Sequence, residues 1–131
     1  MGKKAIICID DERTIQRSLK GQLTRRYGSK FTYEFADNPE EGLEVIEELI
    51  EDGLDLVVVV SDWMMPGMKG DEFLVQVHKK YPEVSTVMLS GQADQAAVER
   101  AKDEANLSAF ISKPWTEEEL FRELDKHVDP T

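Results

Sequence analysis

The chain has almost no cysteine, no long apolar run and too few basic residues to balance its acids. A single cysteine, Cys8, excludes any disulfide within the chain, and its place inside an apolar run marks it as an inert core thiol. No apolar run approaches the roughly 20 residues that a membrane-spanning helix needs. The start, Met1-Gly2-Lys3-Lys4, is basic, but the apolar run after it is interrupted at Asp10, too soon for a secretory signal. Ile6 stands where N-myristoylation of Gly2 would want Ser or Thr. A cytoplasmic protein is expected. The 27 acidic residues outweigh 16 basic ones to give a net charge of −11, and such a surface repels phosphate backbones, so direct nucleic-acid binding is not expected. Much of the excess, in Glu40-Glu41, Glu47-Glu48, Glu51-Asp52 and Glu117 to Glu119, has the look of solvated helix faces. The apolar share of 40% is ordinary for a globular protein and argues against disorder.

What the chain does have is a set of short apolar runs that end in charge. Ala5-Ile6-Ile7-Cys8-Ile9 runs into Asp10-Asp11, and Leu56-Val57-Val58-Val59-Val60-Ser61 runs into Asp62. Continuous apolar runs of this length are the pattern of strands buried on both faces of a parallel sheet. Further strands are expected at Phe31–Ala36, Ser85–Leu89 and Ala109–Ser112. The alternating Phe31-Thr32-Tyr33-Glu34-Phe35 suits an edge strand with one exposed face. Between them, apolar spacing predicts five helices. The first, from about Glu12 to Tyr27, carries Ile15, Leu19, Leu23 and Tyr27. The second, about Pro39 to Glu51, carries Leu43, Ile46, Leu49 and Ile50, with Asn38 as N-cap. The third starts near Asp71, carries Phe73, Leu74, Val77 and Tyr81, and is stopped by Pro82. The fourth, from about Gln92 to Asn106, has a small-residue face of Ala93, Ala96, Ala97, Ala101 and Ala105. The fifth opens on the capping-box pattern Thr116-Glu117-Glu118-Glu119 and continues through Leu120, Phe121, Leu124 and Val128.

Strict β-α alternation predicts an α/β fold with helices on both faces of a parallel sheet. The flavodoxin-like (βα)5 order 2-1-3-4-5 places strands one and three together at the topological switch point, where ligands bind outside the carboxyl ends. Asp10, Asp11 and Asp62 would all converge there. Such a carboxylate cluster is electrostatically unfavourable alone and calls for a hard divalent cation.

Four motifs, each following an expected strand, carry a resemblance. They are Ile9-Asp10-Asp11-Glu12, the run Ser61-Asp62-Trp63-Met64-Met65-Pro66-Gly67-Met68-Lys69-Gly70, Leu89-Ser90-Gly91-Gln92-Ala93-Asp94, and Ser112-Lys113-Pro114-Trp115. In these, and in their order and spacing, the chain resembles the receiver domains of two-component response regulators. The resemblance spans Lys3 to about Val128, and the receiver is expected to occupy residues 3–129 with no second domain. It implies Asp62 as the phosphoacceptor, Mg²⁺ as the cofactor with Mn²⁺ as a substitute, and Asp11, Asp62 and the Met64 backbone carbonyl as its ligands. Asp10 would act on the metal through water. Ser90 and Lys113 would bind phosphoryl oxygens, and a cis Lys113-Pro114 peptide is expected. Ser90 and Phe110 match the family's switch pair. Phe110 lacks a polar tip and is expected to favour the inward position even without phosphorylation. Met64 and Gln92 match the positions that tune hydrolysis; neither is a general base, so a phosphoryl lifetime of minutes or longer is expected.

The implied partners are a sensor histidine kinase or phosphotransfer protein, and an output domain or protein read through the fourth helix, fifth strand and fifth helix; a homodimer is also compatible. No enzymatic activity is expected beyond the chain's own phosphorylation and dephosphorylation, and no membrane association. Two rivals remain. A metal-dependent phosphohydrolase with an aspartyl nucleophile wants Asp-x-Asp after its first strand, and Asp10-Asp11-Glu12 has the wrong spacing. A pseudo-receiver that binds without phosphorylation would not need all five site residues. The chain stops soon after the fifth helix, which suits a stand-alone receiver or a piece of a longer regulator. His78 and His127 fall on expected helices remote from the acidic edge and are expected to lie at the surface.

Overall fold

A computed structural model describes residues 3–91 and 95–128. Strands β1 (Lys4–Ile9), β2 (Phe31–Ala36), β3 (Asp55–Asp62), β4 (Ser85–Ser90) and β5 (Ala109–Ser112) alternate with helices α1 (Arg13–Tyr27), α2 (Pro39–Glu51), α3 (Gly70–Lys80), α4 (Gln95–Glu104) and α5 (Glu117–Leu124). The strands form one parallel sheet in the order β2-β1-β3-β4-β5, which is the expected flavodoxin-like arrangement.

The sheet explains its own sequence. Alternate residues of a strand face opposite sides, and both sides here are covered. Ala5, Ile7 and Ile9 of β1, with Val59 and Met88, join the core cluster shared with α2, α3 and α4. Ile6 and Cys8, with Val58, Val60, Val87 and Leu89, join the cluster shared with α1 and α5. A strand with no wet face has no position for a polar side chain, which is why β1 and β3 are continuous apolar runs.

β2 lies at the edge, but its exposure does not alternate cleanly: Thr32, Tyr33, Glu34 and Phe35 are all half-buried. Tyr33 and Phe35 pack toward the α1 side, and the Tyr33 hydroxyl donates to the Gly28 carbonyl at 2.7 Å.

Helix starts follow the sequence signals. Asn38 Oδ1 accepts from the Glu41 N–H at 2.8 Å with Pro39 opening α2, and the Thr116–Glu119 capping box closes at the start of α5. α5 ends earlier than expected, at Leu124, and hydrogen-bonded turns carry the chain to the buried Val128. The expected start of α4, with Gln92 and Ala93, lies outside the described residues. The face α4 buries is Ala97, Val98 and Ala101, followed by Ala105; Ala96 is exposed. After α4, Asn106 adopts a left-handed φ of 50° and the Leu107 N–H returns to the Ala101 carbonyl, a helix stop that asparagine tolerates. Ile50, expected in the core face of α2, is 38% exposed, while Leu49 beside it is buried; Ile50 lines a groove with Lys4, Asp55 and Ser85 instead. Among the described residues no helix is long and apolar enough to cross a membrane.

Candidate functional site

β1 and β3 are hydrogen-bonded neighbours, so the residues at their carboxyl ends meet. One carboxylate oxygen from each of Asp10, Asp11 and Asp62 lies within 4.8 Å of the others. Their surroundings differ. Asp10 is 1% exposed; its N–H donates to the Ala36 carbonyl, and its Oδ1 accepts from the Glu12 N–H at 2.8 Å, shaping the turn into α1. Asp62 is the last residue of β3 and is also buried. Asp11 is exposed.

Lys113, one residue past β5, reaches into this cluster. Its Nζ donates to Asp10 Oδ2 at 3.0 Å and to Asp62 Oδ1 at 3.1 Å. Ser90 ends β4, is buried, and its carbonyl accepts from the Lys113 N–H. Five residues from the ends of four strands thus share one sheet edge. The Lys113–Pro114 peptide is cis.

Electrostatics in the cluster pull in opposite directions. Burial raises the pKa of the Asp62 carboxyl above its ordinary value, the Asp10 charge adds to this, and Lys113 only partly offsets them. Burial works against the Lys113 ammonium too, but its hydrogen bond to Asp10 and the charges of Asp10 and Asp62 outweigh it, raising its pKa. An extra positive charge beside Asp62 would relieve the strain. The donors are all oxygens, the preference of a hard cation such as Mg²⁺.

The loop after Asp62 folds back tightly. The Gly70 N–H donates to the Trp63 carbonyl at 2.8 Å. A Cβ on Gly70 would lie 2.2 Å from the Asp62 carbonyl oxygen and 2.8 Å from Trp63 Cα, so only glycine fits. At the tip, Gly67 holds a φ of 89°, which L side chains resist. Met64 is 48% exposed beside Asp62. Phe110 is half-buried against the α3–α4 side of the core.

Some residues around the site gave no sequence signal. Gln16 donates from Nε2 to the Asp10 carbonyl at 2.7 Å and to Asp37 Oδ1 at 2.8 Å, bracing the turn that carries the acidic pair. Ser61 is buried and its hydroxyl donates to the Asp62 carbonyl. Asp71 is buried and bonded to the Trp63 indole. Hydroxyl, amide and acid side chains one helical turn from a site are common on any surface, and only folding reveals which face inward.

His127 lies in the turn after α5 and not on the helix, and it is half-buried, contrary to expectation. It lines a groove of about 590 Å³ at the opposite, amino-terminal edge of the sheet, with Lys4, Asp55 and Ser85. Neither histidine belongs to the carboxylate cluster.

Known proteins agree with this geometry. The response regulator receiver domain family matches residues 6–125. A chemotaxis protein CheY homolog of Campylobacter jejuni is 30% identical over 122 residues, covering 92% of this chain and 88% of that protein. The hydrogenase transcriptional regulatory protein HoxA of Cupriavidus necator is 32% identical over 72 residues, 55% of this chain; the aligned part is only 15% of HoxA. In structure, a CheY-like response regulator receiver domain protein from Methanospirillum hungatei superposes with a TM-score of 0.81 at 27% identity, over 94% of this chain and 91% of that one. The chain belongs to the response regulator receiver domain family, the phosphorylation-dependent switches of two-component signalling.

Proposed function

We propose that Asp62 is the phosphoacceptor of this switch, receiving its phosphoryl group from the phosphohistidine of a sensor histidine kinase or a phosphotransfer protein. The observation that carries this reading is the convergence of Asp10, Asp11 and Asp62 with the Lys113 ammonium between two of them. A carboxylate oxygen of Asp62 attacks phosphorus, the donor's phosphorus–nitrogen bond breaks, its electron pair returns to the imidazole, and an acyl phosphate forms. Such a transfer needs positive charge around the equatorial phosphoryl oxygens. When bound, Mg²⁺ supplies much of that charge, held by Asp11, Asp62 and the Met64 carbonyl, with Asp10 acting through water and Mn²⁺ able to substitute. Lys113 adds a compact ammonium donor for a phosphoryl oxygen. The Ser90 hydroxyl hydrogen-bonds a phosphoryl oxygen.

The readout belongs to α4, β5 and α5, with Ser90 and Phe110 as the linked pair: Ser90 and Phe110 stand at the ends and middle of adjacent strands β4 and β5. New charge-assisted hydrogen bonds are enough to bias a two-state element. An output domain or partner protein, or a second copy of the chain, reads that surface in the cytoplasm. The chain catalyses nothing beyond its own phosphorylation and dephosphorylation. Residues 3–129 form the receiver.

Incubation with acetyl phosphate and Mg²⁺ tests the assignment by intact mass. A gain of one phosphoryl group is expected, retained for minutes after the donor is removed and abolished by Asp62→Asn. A gain that persists in Asp62→Asn would reject Asp62 as the acceptor.

A further inference from the structure

Among the described residues, Asp71 is the only buried carboxylate outside the Asp10–Asp11–Asp62 cluster. It stands in the first turn of α3, 6% exposed. An acid there suits the helix dipole, but the exposed Glu72 beside it already meets that need. Burying a carboxylate is costly unless it is partnered, so its partners should explain it. Asp71 Oδ1 accepts from Trp63 Nε1 at 3.0 Å, and Oδ2 faces Arg100 Nη1 of α4 at 3.8 Å.

Trp63 is the residue between Asp62 and Met64. Its backbone is held on both sides, the N–H donating to the Leu89 carbonyl at 3.0 Å and the carbonyl accepting from Gly70. Its ring is buried, with the Lys69 ammonium 5.0 Å from the ring centroid on the outside. The indole N–H is the one polar handle on that ring, and Asp71 holds it. The indole bond ties Trp63 to α3 through its side chain, so the residue between Asp62 and Met64 is anchored at its ring as well as at its backbone.

We propose that Asp71 is a positioning residue of the metal site: it clamps the Trp63 indole to the start of α3 and thereby sets the backbone that presents the Met64 carbonyl. This rests on the reading of the acidic cluster as a Mg²⁺ site. Mg²⁺ affinity then depends on a hydrogen bond made on the buried side of the loop, and Arg100 makes it sensitive to the placement of α4.

Calorimetric titration of the whole chain with Mg²⁺, alongside thermal melts, tests this. Asp71→Leu should weaken Mg²⁺ binding about tenfold, as loss of a supporting hydrogen bond behind a ligand does. Asp71→Asn keeps an acceptor oxygen and should stay within about twofold of the wild type. In Trp63→Phe/Asp71→Leu both polar partners are replaced by apolar groups, so no buried donor is stranded and the protein folds. Its Mg²⁺ affinity should match that of Trp63→Phe alone, since the clamp is already lost. Wild-type affinity in Asp71→Leu or in the double variant, with only the melting temperature lowered, overturns the proposal. Equal losses in Asp71→Asn and Asp71→Leu overturn it too. A wild type that does not bind Mg²⁺ overturns the reading of the acidic cluster and this inference with it.

Discussion

At the scale of single residues, the site is a balance of charges that Lys113 holds together. Asp10 and Asp62 are buried side by side, and the Lys113 ammonium lies about equally far from each, at 3.0 and 3.1 Å. Removing one partner of a buried ion pair leaves the other charges uncompensated. Lys113→Ala should therefore lower stability in EDTA by about 2 kcal/mol, less than for a fully buried pair because the lysine keeps some contact with water. Added Mg²⁺ should stabilise this variant more than it stabilises the wild type, because the cation replaces the missing charge. Urea unfolding with and without Mg²⁺ measures both effects; equal Mg²⁺ increments in the two proteins would contradict this account. The acids and the lysine were legible in the sequence because each follows an apolar run. Gln16, Ser61 and Asp71 were not, because apolar spacing says nothing of which polar side chains the fold turns toward a particular backbone carbonyl or indole.

At the scale of elements, the loop joining β3 to α3 folds back closely on the end of β3. Gly70 closes it, and its constraint is steric crowding by backbone atoms, since its φ is not in the left-handed region. The atoms that a Cβ would strike, the Asp62 carbonyl oxygen and Trp63 Cα, belong to a buried strand end and cannot swing aside. Gly70→Ala should cost about 2 kcal/mol of overpacking, read as a lowered denaturation midpoint with the denaturant slope unchanged. A variant as stable as the wild type would show that the loop yields. The existence of each helix was legible from apolar spacing, and the starts of α2 and α5 from their caps. The ends were less so. α5 stops at Leu124 although Val128 remains buried, and Ile50 is left outside the core. A hydrophobic period records which side faces the core, but it does not record which apolar residue at the margin of that side stays uncovered, as Ile50 does beside the buried Leu49.

At the scale of the whole molecule, the core holds two protons that the unfolded chain would release in alkali. Burial, helped by the Asp10 charge, pushes the Cys8 thiol far above its ordinary range. Burial likewise raises the Tyr27 phenol, which donates a hydrogen bond to Asp125 at 2.8 Å. A folded state that keeps protons the unfolded state loses becomes less stable as pH rises. The decline should begin near the ordinary thiol value of roughly 8.5 and steepen near the phenol value of roughly 10. Cys8→Ala should flatten the profile between those two values and leave the fall above them in place. Urea unfolding across this range measures the slopes, and an unchanged profile in Cys8→Ala would remove the thiol from the account.

The sequence by itself determined the alternation of strands and helices, the burial of β1 and β3 on both faces, and the acids, hydroxyl and ammonium at the strand ends, because each is written in local spacing. Only the tertiary structure decided what those groups do to one another. Parallel pairing of β1 with β3 brings carboxylates from positions 10, 11 and 62 within 4.8 Å, and pairing of β4 with β5 delivers Lys113 to them. The Trp63–Asp71 bond arises where the loop folds back on the start of α3, and the Asp71–Arg100 contact from the docking of α3 against α4. Charge interactions and buried hydrogen bonds depend on distances of a few ångströms between residues far apart in the chain, and those distances exist only once the sheet has formed.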